Sequence, residues 1–93
     1  MNYGQPHGVL LFFNKGRNWS REDRKAYLAE QMEFYYQLQQ QGKVLQTGQL
    51  VHEEGLFVSL SISSDTELCS ILANDPAIQA EVSQVIHAVP VTF

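Results

Sequence analysis

Five consecutive apolar residues, Val9-Leu10-Leu11-Phe12-Phe13, place the strongest constraint on how this chain folds. Bounded by Gly8 and Asn14, the run reads as a strand that is apolar on both faces. The last segment, Val85 to Phe93, has the same property. Val85, His87, Val89, Val91 and Phe93 share one parity, and Ile86 and Ala88 share the other. A sheet built on two such strands needs a cover on each side.

The middle of the chain supplies one cover. Asn14 to Asn18 is a polar loop around Gly16, and Ser20 with Asp23 has the spacing of a capping box. From Arg21 to Gln41 there is no Gly, Pro or Val, and Leu28, Met32, Tyr35 and Leu38 fall at helical spacing. Gly42 is the expected stop. Lys43 to Leu50 reads as a second strand and Val51 to Gly55 as a turn. Leu56 to Ile62 alternates as a third strand, with Leu56, Val58, Leu60 and Ile62 on one face. Ser64 and Glu67 form another capping-box pair before a short helix that buries Leu68, Ile71 and Leu72. Asp75-Pro76 caps a new turn.

The order is therefore βαββαβ in a single domain over 1–93, with 1–6 expected to be flexible. The fold class is α+β: a ferredoxin-like, four-stranded antiparallel sheet. Right-handed crossovers put both helices on one face of that sheet. The bare face then calls for a second copy, giving a homodimer of the dimeric α/β barrel type, with further assembly left open. Ninety-three residues make only a thin core, and the single cysteine, Cys69, rules out an internal disulfide. A partner subunit is the remaining staple.

No apolar run approaches a membrane span, and the start lacks a signal-peptide pattern, so the expected location is cytoplasmic. The net charge of −4 argues against nucleic acid as a partner. Five of the six cations nevertheless fall between Lys15 and Lys25. That cluster either solvates the first turn of a helix or steers a small anion. His7, His52 and His87 show no metal-ligand spacing, and no phosphate-binding loop is present, so no metal or cofactor is expected.

The helix leading to Gln41-Gly42-Lys43-Val44-Leu45-Gln46-Thr47-Gly48, the start Ser64-Asp65-Thr66-Glu67-Leu68, the segment Asn74-Asp75-Pro76-Ala77-Ile78 and the ending Val89-Pro90-Val91 together resemble the YCII-related family of small dimeric α/β barrel proteins. The resemblance runs from about Val9 to Phe93. It implies an active-site pair of histidine and aspartate, the aspartate at Asp75. It also implies a link to chemistry such as removal of chloride from a chlorinated hydroquinone, known in one branch of the family. Counted back from Gly42, the histidine position is Gln31. A carboxamide donates and accepts hydrogen bonds but does not titrate, so Gln31 cannot act as a general base.

The candidate catalytic residues are thus Asp75, Gln31 and His87. Asp75 is either a helix cap or a proton carrier. His87 is either a bonded core or interface residue or a substitute for the missing imidazole in a pocket near Asp75. The candidate ligand-binding residues are Arg17, Trp19 and Tyr35. Trp19 beside Arg17 either closes over a flat anion or packs down on the sheet edge. The aromatic group Tyr27, Phe34, Tyr35 and Tyr36 either lines a cavity or widens the buried face. Cys69 reads as packing, and His52, Glu53 and Glu54 as an exposed turn.

Two functions remain open. One is a non-catalytic or functionally diverged dimer that binds a small anionic or aromatic molecule. The other is a cofactor-independent lyase, isomerase or dehydrochlorinase acting on a small aromatic or lactone acid through Asp75.

Overall fold

The computed structural model describes residues 7–51 and 54–92. The expectations placed on 1–6, His52, Glu53 and Phe93 lie outside the described residues. In chain order the elements are β1 (His7–Lys15), α1 (Arg24–Gln40), β2 (Val44–Gln49), β3 (Leu56–Ile62), α2 (Asp65–Ala73), α3 (Pro76–Gln79) and β4 (Ser83–Thr92). The strands form one antiparallel sheet in the order β2-β3-β1-β4. This is the ferredoxin-like α+β arrangement expected from the segment order. The two apolar strands, β1 and β4, lie side by side.

The core follows from alternation. Val9, Leu11 and Phe13 of β1 pair with Leu60, Val58 and Leu56 of β3, and their side chains share the helix face. They pack with Val44, Tyr35 of α1 and Ile71 of α2 in one buried cluster. Both long helices therefore cover the same face.

Local signals explain most element ends. Gly42 adopts φ +79°, and Lys43 N–H donates to Leu38 C=O at 2.9 Å while Gly42 N–H donates to Gln39 C=O at 3.0 Å. That pair of bonds is the Schellman stop. Ser64 Oγ accepts from Glu67 N–H at 3.1 Å, and Glu67 Oε1 reaches back to Ser63 N–H at 2.9 Å. Asp75 caps α3, with Pro76 in its first turn.

Helix α1 starts later than Ser20 suggests. Its first residue is Arg24, and Asp23 at the capping position makes no side-chain cap bond. Its carboxylate is held by Arg21 Nε and Nη2 at 2.8 and 2.9 Å. An aspartate committed to an arginine cannot close the capping box, so residues 18–24 wind as successive i→i+3 turns instead.

The alternation of β4 is also broken. Phe12 pairs with His87 but Phe13 pairs with Val85, so Ile86 is an extra residue in a bulge. The bulge separates the parities of Val85 and His87. Val85 packs against the core, whereas His87 joins Phe12 on the helix-free face.

The loop after β1 is tied to the turn before β4. Gly16 N–H donates to Val82 C=O at 2.9 Å and Asn18 N–H to Glu81 C=O at 2.7 Å. A Cβ at Gly16 would overlap the Glu81 carbonyl, which explains the glycine at the loop's centre. This backbone contact fixes Trp19 and Ser83 at one end of the sheet, where the candidate site lies.

Candidate functional site

Gln31 and Tyr35 are one helical turn apart on α1 and project from the same face. Both are fully buried, as is Asp75. They converge on the Asp75 carboxylate. Gln31 Nε2 donates to Oδ2 at 2.9 Å, and the Tyr35 hydroxyl donates to the same oxygen at 2.7 Å. Oδ1 accepts from the backbone N–H groups of Ala77 at 2.9 Å and Ile78 at 3.1 Å. A buried charge is tolerated when such donors replace its water. Here the donors are a carboxamide, a phenol and two amides at a helix start, with no cation among them.

The Tyr35 hydroxyl is held well above its ordinary range, first by burial and then by the charge and hydrogen bond of Asp75. It therefore stays protonated and serves as a fixed donor. Phe13 and Phe34 pack its ring at centroid distances of 5.8 and 5.0 Å. Tyr35 thus anchors Asp75 from within the core.

The Asp75 carboxylate also fixes the sense of the Gln31 amide. A carboxylate oxygen accepts, and the Gln31 group facing it is the NH₂, whose Nε2 donates to Oδ2. The Gln31 carbonyl oxygen, Oε1, is then left over. It is buried and has no hydrogen-bond partner among the described residues.

Gln31 also lines a half-open cleft of about 600 Å³. Its walls include Trp19, Leu28 and Met32 on one side, Phe13 and Ser83 on the sheet, and Thr47, Leu50 and Leu56 towards β2 and β3. That volume lies within the range of small-molecule sites. Asp75 and Tyr35 stand behind Gln31 and are not among the lining residues.

The other candidates are dispersed. Trp19 lines the cleft, with Lys15 Nζ 5.9 Å and Arg24 Cζ 4.9 Å from its ring centroid. Arg17 is not among the lining residues and pairs with Glu81 at the surface. His87 corrects the suggestion of a pocket histidine near Asp75. The β4 bulge places it exposed on the opposite sheet face, where it meets Phe12 edge-on at 6.4 Å. Met32 is 46% exposed, so the buried stripe of α1 runs through Gln31 rather than Met32. Tyr36 is exposed and Cys69 lies at the surface rather than in packing.

Among the described residues no group of three His, Cys, Asp or Glu side chains could hold a metal. Among the described residues no helix is long and apolar enough to cross a membrane.

No family model matches the chain, and no curated protein matches it. Among solved structures it is similar to 5-chloro-2-hydroxyhydroquinone dehydrochlorinase (TftG) from Burkholderia phenoliruptrix AC1100, determined in complex with 2,5-dihydroxybenzoquinone. The TM-score is 0.55 at 16% identity, covering 88% of this chain and 89% of that one. At this identity the likeness is one of fold.

Proposed function

We propose that this chain is a dimeric, functionally diverged small-molecule-binding protein of the YCII-like type, with its ligand in the cleft beside Gln31. One observation carries the reading. The group presented to the cleft is a carboxamide, which cannot take up a proton, and the carboxylate behind it spends both oxygens on internal donors. The site holds and orients; it does not move protons.

The test is ligand-induced stabilisation. A ligand that binds only the folded state raises Tm with its concentration. A thermal-shift screen of one-ring aromatic and lactone compounds should yield concentration-dependent shifts, which Trp19→Phe weakens. A flat response across the screen would remove the reading.

A catalytic reading draws on the fold shared with a dehydrochlorinase. On that reading Asp75 handles a proton, and turnover of a small aromatic or lactone acid should vanish in Asp75→Asn. Turnover that survives this change would exclude Asp75 from the chemistry.

The dimer rests on the helix-free sheet face. Phe12, Phe57 and Val89 lie on it, and Val89 is 43% exposed. A second copy related by a two-fold axis would cover this patch with itself. Light scattering at micromolar concentration should give twice the chain mass, and Phe12→Asp should give the single-chain mass. A wild-type monomer would end this part of the proposal.

A further inference from the structure

The polar lining of the cleft is mostly uncharged: Asn14, Thr47, Gln49 and Ser83 beside Gln31. Among its described lining residues Glu54 alone carries a charge. Lys15 and Arg24 stack against Trp19 without forming part of the wall. Arg17 and Arg21 are already paired with Glu81 and Asp23. One polar atom at this wall is Gln31 Oε1, a buried acceptor with no hydrogen-bond partner among the described residues. It cannot trade places with Nε2, because Asp75 requires a donor there.

A ligand that brings a donor to Oε1 completes this carbonyl. At that atom a ligand's lone pair or negative charge meets like against like, with the Asp75 carboxylate one hydrogen bond behind and Glu54 also in the cleft lining. We infer that the cleft selects the neutral, protonated form of a planar hydroxyl- or N–H-bearing molecule, and that Gln31 is its specificity-determining residue. This rests on the ligand-binding reading above. It departs from the anionic ligand that the Lys15 to Lys25 cluster suggests from sequence. Trp19, Leu28 and Phe13 supply the apolar walls for a flat ring.

The charged groups that face the site are Glu54 from the β2–β3 turn, Asp75 from the start of α3, and Lys15 and Arg24 on the Trp19 ring. The first two oppose an anionic ligand. The two cations already lie against the indole.

Trp19 is the single tryptophan of the chain, so its emission reports on the cleft directly. Phenol, anisole and benzoate can be titrated against the wild-type protein, with calorimetry of 4-nitrophenol on either side of its ionisation. Phenol should bind about tenfold more tightly than anisole, the size expected when a buried acceptor gains or lacks its donor. Benzoate should bind more weakly than phenol, and 4-nitrophenol should lose about tenfold or more on ionising. Gln31→Met should erase the gap between phenol and anisole.

Equal or tighter binding of anisole or benzoate, or undiminished binding of 4-nitrophenolate, would overturn the inference while leaving a ligand-binding cleft. If no compound changes the Trp19 emission or gives heat, the inference and the reading beneath it fall together. Because these comparisons use the wild-type chain, they decide the matter even if Gln31→Met does not fold.

Discussion

Asp75→Ala should cost this fold about 3–5 kcal/mol, a loss in the range reserved for broken buried networks. The carboxylate serves three elements at once. Its removal deprives α3 of its cap, normally worth about 1 kcal/mol. It also strands the Gln31 amide and the Tyr35 hydroxyl, both fully buried, each at a cost of about 1–3 kcal/mol. A chain of this length has total stability on the order of 5–15 kcal/mol, so the loss is a large fraction of it. In a thermal melt this corresponds to a fall of roughly 20 °C. The exposed Asp65 in the first turn of α2 is the control, and Asp65→Ala should stay within about 0.5 kcal/mol. If the two variants melt together, the buried network does not hold the fold.

Much of this architecture can be read from local sequence. Ser64 with Glu67, Asp75 with Pro76 and Gly42 are short-range signals, and each acts on the backbone within a few residues of itself. The alternation of Leu56 to Ile62 likewise needs no distant partner. The misplaced features turn on a choice that the neighbouring residues leave open. The start of α1 depends on whether Asp23 bonds a backbone amide or the Arg21 side chain, and both are available locally. The Ile86 bulge leaves no mark in Val85-Ile86-His87-Ala88-Val89, yet it decides which face His87 occupies.

Gln31 is the plainest case in the site. It flanks an apolar stripe, where a glutamine normally meets solvent. It is buried because Asp75, 44 positions later, arrives with an acceptor to satisfy it. That pairing is tertiary, and no window of neighbouring residues contains it. The available hint was the i, i+4 spacing of Gln31 and Tyr35, which sets two polar tips side by side on the buried face.

Asp75→Asn should erase the cleft's preference for a donor-bearing ligand while keeping the fold. The introduced carboxamide still caps α3 with its oxygen, since Asn is as good a cap as Asp. Its other atom is now an NH₂, facing what were the Gln31 and Tyr35 donors. The Tyr35 hydroxyl can rotate to accept, because a phenol does both. Gln31 cannot, unless its amide turns over. Turning brings Oε1 to the new N–H and presents Nε2 to the cleft. The polar atom offered to a ligand changes from acceptor to donor, with no change in cleft shape and with the buried charge removed.

Titrations read through Trp19 should then rank anisole level with phenol and benzoate level with or above it, so the wild-type order is lost. The swing should be about tenfold for each ligand pair, the worth of one buried hydrogen bond made or lost. Stability should fall by only about 1 kcal/mol, because Nε2 merely takes over the unpaired place of Oε1 and the rotated Tyr35 O–H is the one further group left without a partner. In amide NMR the Gln31 side-chain NH₂ pair should lose its carboxylate-bonded shift. An unchanged ligand order with that pair still bonded inward would show that something other than Asp75 sets the Gln31 orientation.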